Sequence, residues 1–308
     1  MASAQDLKRL MREREAILLA HNYQRPEVQD VADFVGDSLE LSLRAVEHEA
    51  KIIVFAGVDF MAEQAALLNP GKLVLHPEPL ARCPMAAMLT PELARKFKER
   101  YPDAPLVVYV NSSAEVKALS DYVVTSANAV KLVSQLDSER VLFGPDRHLA
   151  EHVAEVTGKE VIPVPSDGHC PVHLVITQED VESARRSYPK AKVLAHPECD
   201  RQVCRLADFV GSTSQMIKAA TELGGREYVV ATEVGLLYRL ENLGFKAYPA
   251  SSYAVCVEMK KITLSSILSS LVNGKGVVKV DTKVAKRARE AIGRTFELLG
   301  VLSPWSRS

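Results

Sequence analysis

The stretch CPMAAMLTPELARKFKERYP (83–102) returns as CPVHLVITQEDVESARRSYP (170–189) and, more loosely, as CVEMKKITLSSILSSLVNG (256–274). Cys83, Cys170 and Cys256 are 87 and 86 residues apart, and seven residues after each comes a threonine: Thr90, Thr177 and Thr263. Each threonine opens an amphipathic run. It reads as an N-cap whose hydroxyl accepts a bond from a free amide of the first turn. Ser3, 87 residues before Thr90, opens the matching run SAQDLKRLMRERE.

Outward from these helices the same period continues. Short apolar runs start at Ala16 (AILLAHNY), Ala104 (APLVVYVNS) and Ala191 (AKVLAHPEC). Next come ADFVGDS, DYVVTSAN and DFVGSTSQ, which place Ser38, Ser126 and Thr213 at 88- and 87-residue steps. A third strand-like run, IIVFAGVD, VLFGPD or VVATEV, completes each unit. Features that keep one period over three copies mark an internal repeat. Strand-length runs alternating with helix-length ones mark βαβ units and parallel sheets. The expected fold is therefore α/β, with three small units related by pseudo-threefold symmetry: residues 1–86, 87–174 and 175–260. The segment 261–308 restarts the pattern with a helix and GVVKVD and is expected to dock beside the first unit. A last amphipathic helix spans roughly Thr282 to Leu299, and SPWSRS reads as a loose tail.

Composition narrows the function class. A net charge of −1 leaves no basic excess to neutralise phosphates along a nucleic acid. The longest apolar runs are strand-length, far below the roughly 20 residues of a membrane span. The residues Met1 to Glu15 carry no signal-peptide core, so a cytoplasmic protein is expected. Five cysteines without a C-x-x-C pair argue for free thiols or ligands rather than a disulfide framework. Neither G-x-G-x-x-G nor a P-loop is present.

The symmetry itself points at a site. The first run of each unit ends in polar residues at matching places: His21, Tyr109 and His196, then Tyr23, Asn111 and Glu198 two residues later. Alternate residues share a strand face, and the carboxyl ends of parallel strands are where ligands bind. Three such ends about one axis would line one pocket. Ser38, Ser126 and Thr213 are expected at or near helix N-caps, where free amides suit phosphate or carboxylate. A lone cysteine is usually a small buried hydrophobe. Three at one register instead make a trigonal set of soft ligands for an iron–sulfur cluster or zinc. A [4Fe–4S] cube on three cysteines would keep one iron open to act as a Lewis acid. Cys199 and Cys204 have no symmetry mates and are assigned to packing. His169 and His173 flank Cys170, where they could support a ligand from outside.

HNYQRPEVQDVADFVGDS, GVDFMAE, CPMA, YVNSSAEVKALSDYVVTSANAV, FGPDRHLAEHVAEVTGK, GHCPVH, HPEC, ADFVGSTSQM, TEVGLLYRL and CVEMKKITL together resemble the quinolinate synthase (quinolinate synthetase A) family, from about Ala20 to Ile262. The resemblance implies three α/β/α domains with the active site at their common interface. It implies a [4Fe–4S] cluster on Cys83, Cys170 and Cys256, with one open iron facing the substrate. The implied transferase reaction condenses iminoaspartate with dihydroxyacetone phosphate to quinolinate, phosphate and water, in NAD biosynthesis. An iminoaspartate-producing enzyme would then be its functional partner. By motif, His21, Ser38, Tyr109, Asn111, Ser126, His196 and Thr213 would bind substrate, while Tyr23 and Glu198 would move protons. The alternatives are another [4Fe–4S] hydro-lyase acting on a hydroxy acid and a non-catalytic iron–sulfur redox sensor.

Overall fold

The computed structural model describes residues 4–301. Ser3 and the tail 303–308 lie outside the described residues. Twelve strands form three four-stranded sheets, each wholly parallel. The first holds β1 (Ala16–His21), β2 (Phe34–Gly36), β3 (Ile52–Ala56) and β4 (Leu73–Leu75); the second holds β5 (Leu106–Tyr109), β6 (Tyr122–Val124), β7 (Arg140–Gly144) and β8 (Glu160–Pro163). The third holds β9 (Lys192–Ala195), β10 (Phe209–Val210), β11 (Glu227–Ala231) and β12 (Lys246–Pro249). The orders β2-β1-β3-β4, β6-β5-β7-β8 and β10-β9-β11-β12 are one topology repeated three times. Each unit thus has a fourth, edge strand beyond the three the sequence reading found. Strands of three or four residues are too short to show a period.

Thr90, Thr177 and Thr263 cap the helices Pro91–Arg100, Gln178–Ser187 and Leu264–Asn273. Their hydroxyls accept from the amides of Leu93 (3.3 Å), Asp180 (3.1 Å) and Ser266 (3.1 Å), a bond worth about 1 kcal/mol to a helix. The first strand of each sheet is apolar between its ends, Lys192 opening β9 and His21 closing β1, because helices cover both faces. Leu18 and Ala20 pack with Leu7, Met11, Ile267 and Leu271 on one side, Ile17 and Leu19 with Leu41 and Phe55 on the other.

The segment after Ile262 divides between two units. Leu264–Asn273 packs against the first sheet through Ile267 and Leu271. Val277 then bridges Leu75 antiparallel, and the His76 amide donates to Gly276 O at 2.8 Å. Gly276 has φ +78°, and a Cβ there would lie 2.0 Å from His76 O, so only glycine fits. The final helix, Thr282–Leu298, does more than dock on the first unit. Its Ala288, Ile292 and Phe296 pack on Leu67 and Leu68 of the first unit and on Ala114 and Val123 of the second. Units one and two also share one apolar cluster, which runs from Phe55 to Phe143. The third unit has cores of its own. It meets the first through polar bonds such as Asn22 Nδ2 to Thr213 Oγ1 (2.8 Å) and Ser212 Oγ to Asp37 Oδ2 (3.0 Å).

Candidate active site

In each sheet the chain leaves the first strand for β2, β6 or β10 on one side, and the next strand pairs on the other. That reversal opens a crevice at the carboxyl ends of β1, β5 and β9, and the three crevices face a single cavity of about 240 Å³. All twelve residues singled out from the sequence line it: His21, Tyr23, Ser38 and Cys83 from the first unit, Tyr109, Asn111, Ser126 and Cys170 from the second, and His196, Glu198, Thr213 and Cys256 from the third. Val58, Phe60, Met61, Val110 and Met259 supply the apolar wall. Cys199 and Cys204 are not part of it. Cys199 is buried in the third unit's core, its thiol turned to Ala231 O at 3.3 Å.

Of the three residues expected at or near N-caps, two lie one residue past the cap and the third lies in the turn before its helix. Asp37 caps Ser38–Glu47, its Oδ1 accepting from the Leu39 and Glu40 amides (3.1 and 3.0 Å), and Ser212 caps Thr213–Glu222. Ser38 and Thr213 are therefore the first helical residues. Ser126 sits in a turn that Asn128 Oδ1 closes on the Thr125 amide (2.8 Å), and its helix begins only at Ala129. Burial alone could not reveal this: Asp and Ser are as good at capping as the neighbours the sequence reading chose.

Two histidines have their tautomers fixed by the backbone. The Tyr23 amide donates to His21 Nδ1 (3.2 Å) and the Glu198 amide to His196 Nδ1 (3.3 Å). A backbone N–H can only donate, so the ring proton of each resides on Nε2. Burial, helped by the imidazoles' mutual repulsion, lowers His21 from its ordinary 6.5 to about 3. Burial likewise takes His196 to about 3, against the pull of Glu198. Both rings are neutral hydrogen-bond donors, a suitable pair for carboxylates.

That neutrality has a cost in acid. Between pH 6.5 and 3 the unfolded chain would protonate these imidazoles while the folded chain does not, so stability is full above about 6.5 and falls as pH drops. At pH 5 each histidine should have removed about 2 kcal/mol. The metal-free protein is expected to melt at a clearly lower temperature at pH 5 than at pH 7.5. An unchanged melting temperature would show that the rings accept protons without unfolding.

A line of close polar contacts joins the two residues assigned to proton movement. Tyr23 OH lies 2.6 Å from Thr232 Oγ1, which lies 2.8 Å from His173 Nε2. His173 Nδ1 is 2.8 Å from Glu198 Oε2, and Tyr109 OH donates to Glu198 Oε1 at 2.6 Å. Thr232 bonds both Tyr23 and the His173 ring, and His173 Nδ1 and Glu198 stand at ion-pair distance without hydrogen-bond geometry. Burial alone would raise the Glu198 pKa, but His196, His173 and the Tyr109 hydroxyl hold it well below the usual carboxylate range. Burial and the Glu198 charge push both Tyr23 and Tyr109 upward, so both stay phenols. The sequence reading missed Thr232 and placed His173 only near a cysteine. Their one signal was position, Thr232 opening the TEVGLLYRL run and His173 within the CPVH motif.

The three symmetric thiols are half-buried around this cavity. Burial pushes Cys256 up to about 11 and Cys83 and Cys170 further still, so without a cation to offset desolvation they remain neutral. Ligand atoms of Cys170, His173 and Glu198 lie within 4.8 Å of one another, a group that could hold a metal ion. No helix among the described residues is long and apolar enough to cross a membrane.

Known proteins resemble the chain over nearly its whole length. Residues 5–297 match the family described as quinolinate synthetase A protein, NadA. The quinolinate synthase of Thermococcus kodakarensis is 55% identical, over 96% of this chain and 97% of that protein. Its Pyrococcus horikoshii counterpart is 53% identical over 97% and 99% of the two chains, and the Thermotoga maritima one 49% identical over 96% and 99%.

Proposed function

The chain belongs to the quinolinate synthetase A family, and on that premise we propose that it condenses iminoaspartate with dihydroxyacetone phosphate, releasing phosphate and water, to form quinolinate for NAD biosynthesis. The observation that carries this reading is the convergence of three units on one cavity that holds three soft thiols, two neutral imidazoles and a buried, ionised glutamate. An enzyme that releases iminoaspartate must supply the first substrate.

The donor set fits an iron–sulfur cluster on Cys83, Cys170 and Cys256, since thiolates are its usual ligands and all three border the cavity. His173 and Glu198 suit a metal less well, because His173 Nε2 is bonded to Thr232 and Glu198 accepts from Tyr109. When bound, the cluster supplies an open iron that polarises a hydroxyl or carbonyl oxygen.

The remaining chemistry falls to the chain. The Nε2–H groups of His21 and His196, with the Asn111 amide, bind carboxylate oxygens, and Tyr109 borders the substrate while its hydroxyl donates to Glu198. Ser38, Ser126 and Thr213 hold the phosphate. The amides at the starts of Ser38–Glu47 and Thr213–Glu222 help stabilise its departure. Glu198 removes a proton from carbon during isomerisation and dehydration, and Tyr23 donates or accepts at oxygen. The chain through Thr232 and His173 lets the two exchange protons without bulk water. Around them the apolar wall keeps solvent from the imine, which water would hydrolyse.

The test is anaerobic reconstitution with iron and sulfide, followed by assay with both substrates. Quinolinate that appears only with reconstituted protein is expected. A full complement of iron and sulfide with no quinolinate would overturn the reaction assigned here.

A further inference from the structure

We propose that Asp59, Asp146 and Glu233 form a further symmetric set, which fixes the spacing of the three thiols by holding the backbone amide of each ligand cysteine. The three carboxylates are 87 residues apart in both steps and lie just beyond the carboxyl ends of β3, β7 and β11. The Cys83 amide donates to Asp59 Oδ1 at 3.0 Å, the Cys170 amide to Asp146 Oδ2 at 3.1 Å, and the Cys256 amide to Glu233 Oε1 at 3.0 Å. Each carboxylate also takes an amide from the helix that follows its own strand: Phe60 at 2.9 Å, Leu149 at 2.7 Å and Gly235 at 2.6 Å. A plain helix cap needs only that second bond. Only Asp146 is a helix N-cap, yet all three carboxylates reach 23 or 24 residues along the chain to the same atom of the same motif.

One backbone bond already ties each loop two residues before its cysteine (Asp59 N to Ala81 O, Arg147 N to Gly168 O, Val234 N to Ala254 O), but none of these reaches the cysteine itself. Each cysteine precedes a helix of only four or five residues (Pro84–Met88, Pro171–Leu174, Val257–Lys260), too short to be stable alone. Asp146 and Glu233 are fully buried, and a buried acceptor left without its donor is costly. Lys260 pairs with Glu233 at 2.9 Å and also donates to Tyr23 O, which ties the Cys256 anchor to the Tyr23 loop. Outer partners of this kind typically change metal affinity 10- to 100-fold when removed.

The oxygens used differ among the three, which gives a discriminating test. Asp59 takes both amides on Oδ1, so Asp59→Asn can keep both bonds. Asp146 and Glu233 use one oxygen for each amide. Asp146→Asn and Glu233→Gln must therefore turn an NH₂ group towards an N–H. The proposal rests on the three-cysteine reading, and the probe is chosen to separate the two. Cobalt(II) is titrated into the metal-free protein, and the thiolate-to-cobalt absorption reports the thiols without cluster assembly.

Asp146→Asn and Glu233→Gln are expected to bind cobalt about 10-fold more weakly or worse, Asp59→Asn to stay within about twofold, and Asp59→Leu to fall with the first two. Melting curves show which variants fold, and the Asp59 pair decides the matter if Asp146→Asn does not. Wild-type affinity in Asp146→Asn, Glu233→Gln and Asp59→Leu would overturn the proposal, as would wild-type protein that shows no thiolate–cobalt absorption. Failure of the cluster reading looks different: tight thiolate binding of cobalt, but no iron and sulfide retained after reconstitution.

Discussion

Serine at Cys83, Cys170 or Cys256 is expected to strip the reconstituted protein of iron and of quinolinate formation, while serine at Cys199 or Cys204 leaves both unchanged. Serine's hydroxyl is a hard, weakly acidic donor that does not replace a thiolate on iron. The loss should exceed the roughly 100-fold that removal of a mere outer partner of a metal ligand can cause. Cys199 and Cys204 share the residue type but not the place. The Cys204 thiol faces the His196 and Cys199 carbonyls at 3.7 and 3.6 Å, inside the third unit. Iron and acid-labile sulfide per chain, measured anaerobically, decide the outcome. Equal iron loss from Cys199→Ser would remove the assignment of the three symmetric cysteines.

Tyr23→Phe and Glu198→Gln are each expected to lower turnover by about 10²- to 10⁴-fold, the usual value of a positioned acid or base, with the cluster retained. The phenylalanine fills the same space but ends the hydrogen-bonded chain at Thr232. Glutamine can accept from His173 or from Tyr109 but not from both, because one of its two terminal atoms is a donor. A third variant places the effect. Thr232→Val keeps both reacting groups and breaks only the link between them, so its rate should fall between wild type and Tyr23→Phe. If Tyr23→Phe formed quinolinate at near wild-type rate, Tyr23 would have no part in proton movement. If Thr232→Val were as slow as Tyr23→Phe with substrate binding intact, the chain rather than the phenol would limit the reaction.

Much of the site could be read from the chain because a threefold repeat converts long-range geometry into local pattern. Residues at one register of three copies must occupy equivalent places about the axis, so Cys83, Cys170 and Cys256 could be grouped without any contact being known. The same logic would have found Asp59, Asp146 and Glu233, whose steps are as regular. They stand out less because they differ in residue type. His173 and Thr232 could not be found this way. The hydroxyl of Tyr23 meets Thr232 across 209 residues of sequence, and neither has an equivalent partner in the other units.

From the sequence alone came the repeat, the α/β alternation, the threonine caps and the set of twelve cavity residues. All of these rest on short-range physics: which side chains suit a strand, which cap a helix, and which recur at a fixed step. The tertiary structure alone decided the charge states and the connections. Glu198 is ionised and the two histidines neutral only because burial and particular donors meet at that point. Likewise, Thr282–Leu298 lies across two units because Ala288, Ile292 and Phe296 find apolar surface on both. An amphipathic pattern fixes which face of a helix is buried, but not against which neighbour; that choice belongs to the packed whole.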